Sequence, residues 1–115
     1  MKLPITFEGL IKEANQLQLY QKLIFQLNKD FQLANIDVSF HEDILPESLR
    51  VILQETVFNL IQNKFMEYLN LLYIIDVSED DIKRLEEADI LRLSEAVSFL
   101  ILRREWQKVW FKNYY

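Results

Sequence analysis

The side chains able to do acid–base or metal chemistry in this chain fall into two groups. The first holds the single histidine and its two neighbours, His41, Glu42 and Asp43. The second spans about three helical turns and contains Glu79, Asp80, Asp81, Glu86 and Asp89. Carboxylates one turn apart can bind a divalent cation, so a metal-dependent hydrolase is one hypothesis for this chain.

Other catalytic classes are excluded by what the sequence lacks. Gly9 is the only glycine, which removes phosphate-binding loops, dinucleotide fingerprints and the nucleophile elbow. Cysteine is absent, which removes disulfides and thiolate metal sites. The Glu-x-x-His motifs of di-iron bundles are also missing. The sequence therefore predicts no catalytic residue, no metal site, no cofactor and no identifiable small-molecule ligand.

The second acidic group has a simpler interpretation than catalysis. Helical nucleotide pyrophosphatases bind Mg²⁺ through paired Glu-x-x-Glu and Glu-x-x-Asp motifs, and only Glu86-x-x-Asp89 is present here. The residues carry no resemblance to a family. Acidic side chains at the start of a helix interact favourably with the helix dipole. We therefore expect solvated and capping charge here, and predict that the protein is not an enzyme.

Composition predicts a single all-α domain over residues 1–115. Half of the residues are hydrophobic and about a quarter are charged, and one glycine with two prolines leaves few residues for tight turns. The net charge of −5 argues against general nucleic-acid binding. No uncharged apolar run approaches the roughly 18 residues of a membrane span, and the first ten residues lack the apolar core of a signal peptide. We expect a cytoplasmic protein.

Apolar periodicity predicts three long helices, at about 6–34, 46–75 and 78–112, in an up-down-up bundle. Thr6 and Ser78 are at N-cap positions, and Pro46 suits the first turn of the second helix. Asp89 could cap a further helix, which would give a bundle of four. Residues 35–45 alternate apolar and polar, which indicates an extended connection over the bundle or a strand that pairs with its copy in a dimer.

The third predicted helix has two apolar faces at about 100° per residue. The face predicted to join the core consists of Ile82, Leu85, Leu93, Ala96, Val97 and Leu100. The second face consists of Phe99, Leu102, Trp106, Val109 and Trp110, with Arg103 at its edge. A bundle needs one apolar stripe on each helix, so this second face needs another cover.

Three covers are possible for that face: residues 35–45 of the same chain, another protein chain, or a nucleic acid or membrane surface. Arg103, Arg104, Lys108 and Lys112 suggest the last, although cations near a helix C-terminus are stabilising without any ligand. Aromatic residues and arginine are enriched in protein interfaces. We predict a protein–protein interaction or oligomerisation module, most simply a homodimer or a partner of another helical protein, that uses the residues Phe99, Leu102, Arg103, Trp106, Val109 and Trp110.

Overall fold

The structure, a computed structural model, describes residues 1–85 and 89–115. These residues form six helices: α1 (Phe7–Gln16), α2 (Tyr20–Leu33), α3 (Pro46–Asn63), α4 (Phe65–Ile75), α5 (Glu79–Lys83) and α6 (Ile90–Tyr114). The predicted all-α class is confirmed, and no residue in the two described ranges belongs to a β-strand. None of these helices has the length and apolar character needed to cross a membrane.

The helix count differs from the prediction because each of the three predicted long helices is interrupted. The first stops where Gln18 adopts a left-handed backbone with φ of 59°, and the Leu19 N–H then donates to the Ala14 carbonyl at 2.8 Å. The second is broken at Lys64, whose φ of −143° and ψ of 58° are not helical. The helices on either side of each break face the same core, so their apolar residues keep the helical spacing across it. The apolar periodicity therefore did not reveal the two breaks.

The predicted continuous helix at 78–112 is wrong, and the alternative break at Asp89 is confirmed. Asp89 is extended, with φ of −115° and ψ of 152°, and its carboxylate accepts from the Arg92 N–H at 2.8 Å to cap α6. Ser78 caps the short α5 by accepting from the Asp81 N–H at 3.3 Å. Glu86, which the sequence analysis placed in this helix and in the acidic group, lies outside the described residues.

The long helix α6 is the centre of the fold and packs against α1, α2, α3 and α4. Its buried residues follow one unbroken 3-4 stripe: Ser94, Val97, Ser98, Ile101, Leu102, Glu105, Trp106 and Val109. The predicted core face of this helix is therefore confirmed only in part. Val97 is buried, whereas Leu93, Ala96 and Leu100 are only partly covered. The buried stripe contains two serines and a glutamate, so it cannot be recognised from the spacing of apolar residues alone.

The apolar stripes of α1 to α4 supply the rest of the core largely as predicted. The buried residues on these four helices include Leu10, Ile24, Leu27, Phe31, Leu49, Leu53, Val57, Leu60, Tyr68, Leu71, Leu72 and Ile75. Leu17, Tyr20 and Ile61, which continue the 3-4 spacing of these stripes, are partly buried at the margin of the core. These stripes surround α6, so the helix with the most polar buried face lies between helices with apolar ones.

The connection between α2 and α3 packs on α2. The Asn28 side chain pairs with both backbone groups of Phe40, at 2.7 and 2.8 Å, and the Phe40 ring meets the Phe31 ring edge-on at 5.7 Å. The Tyr20 hydroxyl donates to the Ile44 carbonyl at 2.6 Å. These contacts hold the connection between α2 and α3 against α2. The elements that surround α6 are the helices α1 to α4.

Candidate functional site

The predicted contact face on the last helix is largely interior. Leu102, Trp106 and Val109 are buried, and Trp106 is fully inaccessible. Phe99 and Trp110 are half-buried against the same core. Of the three covers considered for this face, cover by the same chain applies to these three central residues, and four helices of the chain provide it.

The basic residues near the end of α6 also have partners in the chain. Arg103 lies 3.5 Å from an Asp81 oxygen and over the Phe99 ring at 5.8 Å. Arg104 donates to the Asp76 carbonyl and carboxylate, both at 3.0 Å.

The two lysines reach back towards α2. The Lys108 ammonium contacts Asp30, and the Lys112 ammonium donates to Gln26 Oε1 at 2.6 Å. These contacts account for all four cations of the predicted basic aromatic segment without a nucleic acid or a membrane surface.

A buried ionic cluster joins α2, α4 and α6. The Lys108 ammonium lies 2.5 Å from Asp30 Oδ2, 2.8 Å from Glu105 Oε1 and 3.1 Å from the Ile75 carbonyl at the end of α4. Gln26 Nε2 donates to the same Asp30 oxygen at 3.2 Å. Glu105 is completely inaccessible to solvent. One cation and two carboxyl groups are thus packed together where three helices meet.

The two carboxyl groups of this cluster have opposite protonation preferences. Burial, with a smaller contribution from the neighbouring Asp30 carboxyl, raises the pKa of Glu105 to about 9 against the opposing effect of Lys108. Burial also acts to raise the pKa of Asp30, but hydrogen bonds from Glu105, Lys108 and Gln26 outweigh it and hold that pKa below its usual value. At neutral pH Glu105 is therefore protonated and Asp30 ionised, so Lys108 balances a single negative charge.

This cluster is closed to substrate. Glu105 and Asp30 are both buried and neither lines any of the surface cavities described below. The sequence patterns did not predict this cluster. The missed signal is the position of Glu105 in the 3-4 stripe, three residues before a lysine. The arrangement holds helices together, as expected of a buried and paired charge.

The predicted acidic groups do not form a metal site in the part of the chain that is described. The backbone N–H of Asp43 donates to His41 Nδ1 at 3.1 Å, which fixes a local turn. Asp81 pairs with Arg84 and Arg103, and Asp89 pairs with Arg92. Within residues 1–85 and 89–115, no three His, Asp or Glu side chains are grouped so that they could hold a metal ion.

The most unusual surface lies on α4. In its sequence FMEYLNLLYII, only Glu67 and Asn70 lack a predominantly apolar side chain. One face supplies Tyr68, Leu71, Leu72 and Ile75 to the core. Another face points to solvent and exposes Phe65 (53%), Met66 (75%), Leu69 (42%) and Tyr73 (82%). At about 100° per residue, those four side chains fall within an arc of about 100°. We call Phe65, Met66, Leu69 and Tyr73 the α4 outer face.

A groove continues the α4 outer face towards α5. Its volume is about 580 Å³. Its lining residues are Leu69, Leu72, Tyr73, Asp76, Val77, Ser78, Glu79, Ile82 and Lys83. The floor is apolar and the rim is charged, which is the usual composition of a protein-binding groove. The groove is shaped by Asp76, whose left-handed backbone (φ 69°) ends α4 and turns the chain into α5.

A second cavity, of about 250 Å³, lies between the start of α1, α3 and α6. Arg50 crosses it, donating to Glu8 at 3.0 Å and lying 5.0 Å over the Phe7 ring. The charged groups at its mouth therefore pair with each other.

No family model, no curated protein and no solved structure matches this chain.

Proposed function

We propose that this protein is a non-catalytic protein–protein interaction module whose contact surface is the α4 outer face with the adjoining groove. The observation that carries the proposal is the uncovered apolar face of α4. A helix that is apolar on nearly all sides is normally enclosed on all sides, yet α4 has four large apolar side chains in solvent. Contiguous exposed apolar surface of this kind is typical of interaction sites.

The shape of the surface favours an amphipathic helix as the bound element. A ridge of side chains at Met66, Leu69 and Tyr73 has the 3-4 spacing that packs against a second helix. The groove beside it can accept large apolar side chains, as in helix-in-groove recognition. The predicted contact residues on α6 contribute to this function only indirectly, because Trp106 and its neighbours form the core that supports α4.

A displayed library of helical peptides tests the proposal. The purified protein, immobilised sparsely so that copies stay apart, is the bait, and a Leu69→Glu variant is the parallel bait. We expect peptides with apolar residues at 3-4 spacing to be enriched on the wild type and to lose at least about tenfold in binding to Leu69→Glu, since the charge must be buried in the contact.

Leu91→Glu is the matched control. Leu91 is also exposed (58%) but lies at the start of α6, away from the α4 outer face. Peptides that bind the wild type and Leu91→Glu but not Leu69→Glu support the proposal. Peptides that bind all three baits equally, or no enrichment at all, would contradict it.

A further inference from the structure

We infer that the partner of the α4 outer face is a second copy of this chain, with the two α4 helices antiparallel about a twofold axis near Leu69 and Asn70. This inference rests on the proposed function and names its partner. Three features support it: the α4 surface is self-complementary in shape, its charges suit an antiparallel partner, and its area suits a reversible dimer.

The first feature is that the two ends of the surface have opposite shapes. At the start of α4, Phe65 and Met66 project from the surface, with Met66 three-quarters exposed. At the end of α4 lies the groove of about 580 Å³ beside Tyr73 and Ile82. Met66 and Tyr73 are about 10 Å apart along the helix. A twofold axis midway between them therefore places the projecting end of each copy at the groove of the other, as an isologous interface requires.

The second feature is the distribution of charge along the same helix. Lys64 stands just before α4 and its side chain is 57% exposed, whereas Asp76 stands just after α4 and is 80% exposed. Glu79 adds a second carboxylate to the groove lining, where Lys83 also lies, and Arg104 of the same chain already pairs with Asp76. Antiparallel pairing brings Lys64 of each copy near Asp76 and Glu79 of the other. Parallel pairing would instead set like charges together at both ends, which is unfavourable.

The third feature is the area available. A large apolar side chain offers roughly 150–250 Å². At the exposures given above, the α4 outer face presents roughly 400–600 Å² in each copy, and two copies with their rims bury about 1,000 Å². That is the lower limit of specific interfaces, in the size range of weak or transient complexes. The surface is too small for an obligate dimer and large enough for a reversible one.

Sedimentation velocity from about 1 to 100 µM tests the association. We expect the wild type and Leu91→Glu to shift from monomer to dimer with increasing concentration. Leu69→Glu should remain a monomer throughout, because the twofold axis brings the two introduced carboxylates together in an apolar contact. A dimer that persists in Leu69→Glu would overturn the inference.

Cross-linking tests the antiparallel arrangement, and the chain is suited to it because it contains no cysteine. A mixture of Met66→Cys and Tyr73→Cys proteins is treated with a short thiol-reactive cross-linker. We expect the mixed product, linking position 66 of one copy to position 73 of the other, to exceed each self-linked product at least about fivefold, since only that pair is adjacent. Predominant self-linked products at either position would indicate another geometry and overturn the inference.

The two proposals fail in distinguishable ways. A protein that stays monomeric at all concentrations but binds selected helical peptides through Leu69 retains the proposed function and loses the second copy as its partner. A monomer that binds no such peptide loses both.

Discussion

The burial of α4 and of α6 differs from what their sequences suggest, and it differs in opposite directions. The buried stripe of α6 contains Ser94, Ser98 and Glu105, yet this helix is the centre of the core. The helix α4 is almost wholly apolar, yet one of its faces lies in solvent. Hydrophobicity therefore does not rank these helices by burial. What distinguishes α6 is an unbroken 3-4 stripe of buried residues, in which the two serines bond to their own helix and Glu105 lies beside Lys108.

The two serines of the α6 stripe satisfy their hydrogen bonds locally. The Ser94 hydroxyl donates to the Ile90 carbonyl at 2.7 Å, and the Ser98 hydroxyl donates to the Ser94 carbonyl at 2.6 Å. Small side chains bonded to their own helix let α6 approach its neighbours without leaving polar groups unpaired. Glu105 instead remains protonated next to Asp30. The exposed apolar residues of α4 cannot form such local hydrogen bonds. They leave water only by contact with another apolar surface, which is the reason for proposing a partner.

The largest expected effect is the loss of Trp106 from the centre of α6. Trp106→Ala should lower the free energy of unfolding by about 3–5 kcal/mol, because a fully buried aromatic side chain leaves a cavity. Urea denaturation followed by circular dichroism measures it. If the alanine variant does not fold, Trp106→Phe is measured instead, and it should lower the free energy of unfolding by a smaller amount.

Tyr73→Ala on α4 is the matched control, because Tyr73 is also aromatic but 82% exposed. An equal loss of stability in the two variants would contradict the description of Trp106 on α6 as buried and Tyr73 on α4 as exposed.

The second largest effect concerns Glu105 and pH. The unfolded chain loses the Glu105 proton near the ordinary pKa of 4.5, whereas the folded chain keeps it up to about 9. The folded state thus binds more protons between these values, so the Glu105 contribution to stability is complete below pH 4.5 and is lost as the pH rises towards 9. We expect Glu105→Gln, which stays neutral and can still donate to Asp30, to remove a fall of about 2 kcal/mol between pH 7 and pH 9.

Urea midpoints measured at several pH values test this expectation. Glu95→Gln, an exposed change on the same helix, should keep the wild-type pH profile. If the profiles of wild type and Glu105→Gln are parallel from pH 5 to pH 9, then Glu105 is ionised in the folded protein and the account of the cluster is wrong.

A smaller effect is expected at the start of α6. Asp89→Ala removes the side chain that accepts from the Arg92 N–H and should cost about 1 kcal/mol. Asp89→Ser should restore most of that loss, because serine is also a good N-cap. Thermal unfolding of the three proteins measures it. Identical transitions for wild type and Asp89→Ala would mean that α6 does not depend on this cap.

The smallest expected effect is on α4 itself. Met66→Gln replaces an exposed apolar side chain and should change the free energy of unfolding of the monomer by less than about 0.5 kcal/mol. The measurement is made below 1 µM, on the order of the concentration at which a weak dimer dissociates. A loss of 2 kcal/mol or more would show that Met66 packs within its own chain.

Much of the fold was predictable from local patterns. Pro46, Ser78 and Asp89 mark helix starts through their own backbone and side-chain chemistry, and α3 and α4 keep their apolar stripes where the sequence shows them. The breaks at Gln18 and Lys64 were not predictable, because neither is a glycine or a proline. Their conformations are imposed by the packing of the helices on either side.

The candidate site was not predicted, and the reason is geometric. The sequence shows two apolar faces on the last helix, but it does not show that four other helices surround that helix. Trp106 therefore suggested a contact surface when it lies at the centre. The α4 outer face was not predicted for the opposite reason, because its exposed residues resemble core residues in the sequence. Phe65 and Tyr73 look like core residues, but no residue in the described ranges 1–85 and 89–115 covers the side of α4 that they occupy.

The central position of α6 has a consequence for synthesis of the protein. This helix follows the other five along the chain, so the ribosome completes α1 to α5 before the element that four of them pack against exists. Its 25 residues take a second or more to make at about 5–20 residues per second. During that interval the apolar stripes of the earlier helices have no common partner. The common core can therefore form only after α6 has been made.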